Sequence, residues 1–173
     1  MQILETARLA LRTIEITDAP FYLELLNTPD FIAHIGDRGI RTVDAARDAI
    51  ASGPLAMQAA LGHSIYLVAL KATGEAIGMC GLIKRDTLEH VDLGYAYLPR
   101  HFGKGYGYEA AAAVVEHART ALKMQRLVAI TSPSNLASNG LLEKVGMHFE
   151  KIVYLNPNDL GTRLYSIDLC ASR

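Results

Sequence analysis

The sequence predicts a mixed α/β fold of the α+β type: a central, mostly antiparallel twisted sheet of about seven strands with helices on both faces. Three observations lead there. Residues 64–98 carry three strand-like patterns in succession, divided by turn residues, which reads as a meander. Helix-like, strand-like and helix-like patterns follow over 108–144. Two more strand patterns, over 148–155 and 162–169, have the look of a final hairpin. A strict βαβ alternation, which would give a parallel sheet, does not run through the chain.

Each element has its own reason. Residues 8–12 alternate polar and apolar, as a strand with one buried face does. Thr17 and Asp18 are placed to cap a helix reaching Leu26, and Pro20 suits its first turn. Thr42 caps a second helix, with Val43, Ala46 and Ile50 on one stripe and an end near Gly53-Pro54; a short third helix follows to Leu61. Strands are expected over 64–71, 75–84 and 88–98, with Thr73-Gly74 as a turn and Pro99 as a stop. A helix over 108–122 turns Ala111, Val114, Val115, Ala118 and Leu122 inward, and Ala110 to Ala113 let it pack closely on a sheet. A short buried strand covers 127–131, and a helix over 135–144 stops at Gly146.

Composition narrows the class. A chain of 173 residues, 50% of them apolar, is enough for one domain, 1–173, with a full core. A net charge of -1 supplies no field for nucleic acid or for an anionic membrane. Two cysteines, Cys80 and Cys170, lie far apart without a Cys-x-x-Cys, and the six histidines lack metal-like spacing. No metal is expected. The first residues lack the pattern of a secretory signal, and no apolar run reaches membrane-spanning length, so a cytoplasmic protein is expected.

The most informative stretch is 95–110, where Gly103, Gly105 and Gly107 alternate between a strand and a helix. Glycines admit positive φ and close approach of a ligand. The helix that follows begins with unpaired N–H groups and partial positive charge. Together these suit a phosphate, and Lys104 can add a charge. A tight strand-to-helix turn with an exposed lysine accounts for the same residues. A Walker A loop is excluded, because Gly105 follows Lys104 where Ser or Thr is required. A dinucleotide fingerprint is excluded by the Gly-x-Gly-x-Gly spacing and the upstream meander.

This stretch resembles the acetyl-CoA loop of the GNAT N-acetyltransferase superfamily, whose pattern is Gln/Arg-x-x-Gly-x-Gly/Ala, with Phe102, Gly105 and Gly107 at the first, fourth and sixth places. Phe102 departs from the usual Gln or Arg. An aromatic residue there, followed by Gly103-Lys104-Gly105-Tyr106 and Glu109-Ala110, is similar to the branch containing ribosomal-protein N-terminal acetyltransferases. The opening Glu5-Thr6-Ala7-Arg8-Leu9 stretch, Asp92-Leu93-Gly94-Tyr95, and Asn135-Leu136-Ala137-Ser138 with Glu143-Lys144-Val145-Gly146 resemble the same branch, in the same order.

The resemblance implies a GNAT fold, an acetyl-CoA co-substrate and transfer of acetyl to a primary amine by direct attack. It implies pantetheine along Ala96, Tyr97 and Leu98, and a pyrophosphate on the amides of Phe102, Gly103, Lys104, Gly105, Tyr106 and Gly107. Asn135 would bond the pantetheine arm, although an N-cap is its rival role. The superfamily's acidic tyrosine position is occupied by Leu142, and the branch instead implies Ser138, bonding the departing sulfur. Helix surface or a local backbone bond is the plainer reading of that serine.

For a general base the resemblance favours Asp92. Glu89 and His90 are nearby alternatives, and an ordinary solvated strand face is the plainer account of all three. Tyr95 and Tyr97 read as half-buried strand residues, with a backbone N–H near Tyr97 or Leu98 as the oxyanion donor. The acceptor is expected between Phe31, His34, Asp37, Arg38 and Arg41 on one side and the 156–161 loop on the other. A protein N-terminus or a small amine fits equally. A non-catalytic acyl-CoA sensor and a transferase of longer acyl groups are the alternatives. Dimers are common in the branch, so a homodimer is one assembly the resemblance allows.

Overall fold

The computed structural model describes residues 1–170. Its centre is one sheet of eight strands, one more than expected. The strands are β1 (Gln2–Glu5), β2 (Leu9–Thr13), β3 (Ile65–Leu70), β4 (Ala76–Ile83), β5 (Asp92–Tyr97), β6 (Arg126–Thr131), β7 (His148–Val153) and β8 (Thr162–Asp168). Their order across the sheet is β1-β2-β3-β4-β5-β6-β8-β7. Every neighbouring pair is antiparallel except β5 and β6. The additional strand, β1, pairs with β2 through a register shift, and its short, mixed sequence carries little alternation.

The helices are α1 (Ala19–Leu26), α2 (Pro29–His34), α3 (Val43–Ile50), α4 (Ala56–Leu61), α5 (Tyr106–Thr120) and α6 (Leu136–Lys144). They divide between the two faces. Ala110, Ala111, Val114, Val115 and Ala118 of α5, with Leu142 of α6, pack against Leu9, Tyr66, Cys80, Leu82 and Leu93. On the other face Ala19, Leu25, Leu26, Ala46 and Ile50 of α1 and α3 pack against Leu67 and Met79. The alanines of α5 allow the close approach expected of them.

Thr42 caps α3, its Oγ1 accepting from Ala45 N at 3.1 Å. The Gly53-Pro54 stop is not realised: a π-helical stretch, Ala51–Leu55, carries the chain on into α4. That wider turn accommodates Pro54, which has no N–H to give, and Gly62 in the left-handed region ends the run. The helix α2 was not foreseen; Thr28 caps it by accepting from Phe31 N at 3.3 Å.

The third meander strand begins later than the predicted Leu88. Lys84 Nζ donates to the carbonyls of Arg85, Leu88 and Glu89, at 3.2, 2.5 and 3.2 Å, and closes 84–89 into a turn. No helix among the described residues is long and apolar enough to cross a membrane.

Candidate active site

Strands β5 and β6 run parallel but are registered only at Asp92 and Val128. Beyond that point they part, and a cleft of about 1420 Å³ opens between them, extending under α1 and α2. Backbone hydrogen bonds identify the free edge. Leu98 N donates to Ile77 O at 2.9 Å, so Leu98 turns its amide toward β4, and Ala96 does likewise by alternation. Val91 O accepts from Val128 N at 3.0 Å, so the odd-numbered residues face β6. The backbone groups of Tyr95 and Tyr97 therefore point into the opening. Of the two amides expected as oxyanion donors, Leu98's is spent on the sheet and Tyr97's is not. Similarly, of Ala96, Tyr97 and Leu98, only Tyr97 turns its peptide edge to the cleft.

The glycine corner closes one end of the cleft. Gly103 and Gly105 take φ of 72° and 80°, a conformation costly for any residue with a Cβ. Helix α5 starts at Tyr106, two residues earlier than predicted, so Tyr106 and Gly107 contribute first-turn amides. No side chain caps this terminus. Gly107 has a packing duty as well: a Cβ there would stand 2.9 Å from Leu141 Cδ1. Phe102, Gly103, Gly105, Tyr106 and Gly107 line the cleft, whereas the exposed Lys104 side chain does not.

The corner is tied down from the N-terminal strands. Glu109 accepts from Thr6 Oγ1 at 2.6 Å, Arg8 N at 2.9 Å and Arg8 Nε at 2.7 Å. Arg8 Nη1 reaches on to Lys104 O at 3.0 Å. Burial alone would raise the Glu109 pKa, but the Thr6 and Arg8 bonds outweigh it and hold the carboxyl below its ordinary value.

Across the opening lies α6. Asn135 is its N-cap, Oδ1 accepting from Ser138 N at 3.2 Å, which leaves the amide NH2 unspent. Ser138 Oγ sits 2.7 Å from Tyr95 Oη. Burial, opposed by the Ser138 bond, raises the Tyr95 pKa well above the phenol range, so the group stays protonated at neutral pH and can donate to the serine. This contact links two residues 43 positions apart, and nothing in the local sequence announces it. Leu142, at the place where a phenol was sought, is core.

Asp92 lies at the apex, where the strands part. It is 1% exposed; Oδ2 accepts from Arg85 Nε at 2.7 Å and Oδ1 has no partner. Burial raises its pKa, and Arg85, with the Ile130 backbone N–H, opposes that rise without cancelling it. Arg85 also lines the cleft and was not singled out from sequence; its place, just past β4, is set by the pairing of Ile83 with Asp92. Glu89 and His90 precede β5 and border a separate recess near Arg126 and Glu150, away from the cleft. His90 thus does not share the strand face of Asp92, because the Lys84 turn removes it from the strand.

Phe31, His34, Asp37 and Arg38 line the far wall, with Asn156, Asn158, Asp159 and Leu160 facing them. Arg41 does not line it; its Nη2 binds Asp37 at 2.6 Å and its Nη1 binds Asn27 at 2.8 Å. Tyr22, Leu26, Met57, Met79 and Ile83 complete an apolar interior that sequence reading did not collect. Among the described residues no group of three or more His, Cys, Asp or Glu is placed to hold a metal ion.

A family model described as the acetyltransferase (GNAT) domain matches residues 8–148. The uncharacterized N-acetyltransferase p20 of Bacillus licheniformis is 28% identical over 155 residues, covering 88% of this chain and 86% of that protein. An acetyltransferase from Agrobacterium tumefaciens str. C58 superposes with a TM-score of 0.79 at 27% identity, over 95% of this chain and 92% of that one. The ribosomal L7/L12 α-N-protein acetyltransferase RimL, solved in complex with coenzyme A, shares the fold with a TM-score of 0.82 at 17% identity, over 97% and 98% of the two chains.

Proposed function

The chain is an acyltransferase belonging to the GNAT acetyltransferase family, and from that premise we propose that it moves acetyl from acetyl-CoA to a primary amine by direct attack on the thioester. One observation carries the reading: β5 parts from β6 beside a corner of free backbone amides, with Asp92 at the apex and Ser138 on the facing helix. The residues present fit the co-substrate. The first-turn amides of α5 and the left-handed glycines suit a diphosphate. The unspent peptide groups of Tyr95 and Tyr97 and the free Asn135 amide suit the two amides of a pantetheine arm.

Asp92, ionised, takes a proton from the incoming ammonium directly or through water; its raised pKa makes it a better base than an ordinary carboxylate. The amine nitrogen then bonds the acetyl carbon. The Tyr97 N–H meets the negative charge that develops on the carbonyl oxygen. As the C–S bond breaks, Ser138, itself bonded by Tyr95, donates a hydrogen bond to the departing thiolate, which takes up the proton that Asp92 received or one from solvent. The nitrogen releases its second proton to solvent, so the sum is amide, free thiol and one proton. An acyl-cysteine route has no support: Cys80 is buried, its thiol pushed up to about 12 by burial. The chain works as one catalytic domain, and the free thiols Cys80 and Cys170 suit a reducing cytoplasm.

The test is thiol release from acetyl-CoA against peptides and small amines. Release that depends on amine supports the reading. Binding of acetyl-CoA without release would make the chain a sensor, and preference for longer acyl-CoA would replace acetyl as the group transferred.

A further inference from the structure

We propose that the acceptor is a free α-amino acid, its carboxylate held by the Arg85 guanidinium and its amine presented to Asp92, a reading that rests on the transferase assignment above. Arg85 spends only Nε on the protein, at 2.7 Å from Asp92 Oδ2. Neither Nη1 nor Nη2 has a partner among the described residues, although the side chain is only 29% exposed and lines the cleft. Asp92 Oδ1, in a residue 1% exposed, has no hydrogen bond of normal geometry, although the Ile130 backbone N–H lies close enough to favour the ionised carboxylate. The buried Asp92 oxygen is costly to leave unpaired, and the Arg85 nitrogens are open to the cleft, where a ligand can reach them.

The wall therefore presents a guanidinium edge, with one carboxylate oxygen buried beside it. An α-amino acid carries the complementary charges on adjacent atoms: a carboxylate for the fork of Arg85 and an ammonium for Asp92. A peptide N-terminus offers the ammonium but sets a neutral amide against the guanidinium. A polyamine sets a second cation there. Of the other carboxylates lining the cleft, Asp37 is bound by Arg41 and Gly39 N and Asp159 by Leu155 N, Gly161 N and Thr162, which leaves Asp30 as the single further carboxylate open to a polycation among the described residues.

Position agrees with chemistry. Asp92 alternates with Gly94 and Ala96 on the face toward α1 and α3, opposite the face of Tyr95 and Ser138. The pair thus stands at the apex on the acceptor side. Tyr22, Leu26, Phe31, Met57, Met79 and Ile83 line the same cleft and give it an interior suited to an apolar side chain.

The test compares amino acids, each as free acid and as carboxamide, by thiol release at saturating acetyl-CoA. The carboxamide has the less basic amine and would react faster on chemistry alone. The expected result is one or more free acids exceeding their carboxamides in kcat/KM by about tenfold or more. Arg85→Gln should bring that ratio close to one. Arg85→Lys, which keeps a cation beside Asp92 and so protects folding, should retain part of it. Carboxamides, peptides or polyamines used as well as free acids would overturn the proposal, as would a ratio that survives Arg85→Gln. If no amine releases thiol, the transferase reading fails by itself. Calorimetric titration of acid and carboxamide into the coenzyme A-loaded protein then decides this one: a preference for the acid that Arg85→Gln removes upholds it, and equal or absent binding sinks it.

Discussion

At the residue scale the proposed reaction rests on two side chains, and each makes a separate prediction. Tyr95 holds Ser138 at 2.7 Å and is kept protonated by burial. Removing its hydroxyl in Tyr95→Phe should lower kcat several-fold while leaving the KM for acetyl-CoA near its original value. Ser138→Ala should lower kcat further. If both variants turn over at the original rate, the pair has no part in thiol departure. Asp92 predicts a pH effect with a definite sign. Only its ionised form accepts a proton, and burial raises its pKa, so kcat/KM should climb with pH through an acid limb above the ordinary aspartate value of about 4. In Asp92→Asn that limb should vanish from the pH profile, together with most of the rate.

At the scale of elements, close approach of backbones decides how the cleft is framed. Gly81 of β4 sits where a Cβ would fall 2.3 Å from Ser64 O and 2.6 Å from Ile65 Cα, with no flexible side chain to yield. Gly81→Ala should therefore cost roughly 2–4 kcal/mol of stability in urea denaturation. The glycine corner answers to a different constraint, since a Cβ at Gly105 would meet only the end of the Arg8 side chain, Nη2 at 3.3 Å, but the residue takes a φ of 80°. Gly105→Val should weaken coenzyme A binding about tenfold or more, by turning the α5 amides off their common centre. Unchanged affinity in calorimetry would remove the corner from the co-substrate site.

For the whole molecule, the Glu109 cluster is the joint that matters, because it ties the first two strands to the start of α5 and to the glycine corner. Its folded pKa is depressed. The stability it supplies is therefore complete above the unfolded value of about 4.3 and is lost as pH falls through the lower, folded value. Glu109→Gln should cost about 1–3 kcal/mol at pH 7 and flatten the acid end of the stability profile. Thermal melts of the two proteins between pH 7 and 3 would show whether their difference narrows as expected.

Much of this architecture is legible in the amino-acid sequence. The meander, the order of helices after it, the cap at Thr42 and the glycine corner are written in local pattern: apolar period, capping residue, φ requirement. A strand start or helix stop was less legible, as Lys84 and Pro54 show, because a long side chain folding back on carbonyls or a wider helical turn leaves no periodic trace. Local order also marked Ser138 and Asp92 as candidates, through their place in motifs shared with a family. Which groups meet was decided by tertiary structure alone: Tyr95 with Ser138, Arg85 with Asp92, Arg8 with Glu109 and Lys104. Those pairs depend on strand register and on the parting of β5 from β6, which arise only when both faces of the sheet are buried at once. The chain's own order of residues thus determined the elements and the family they belong to; the packed sheet decided which atoms are left free.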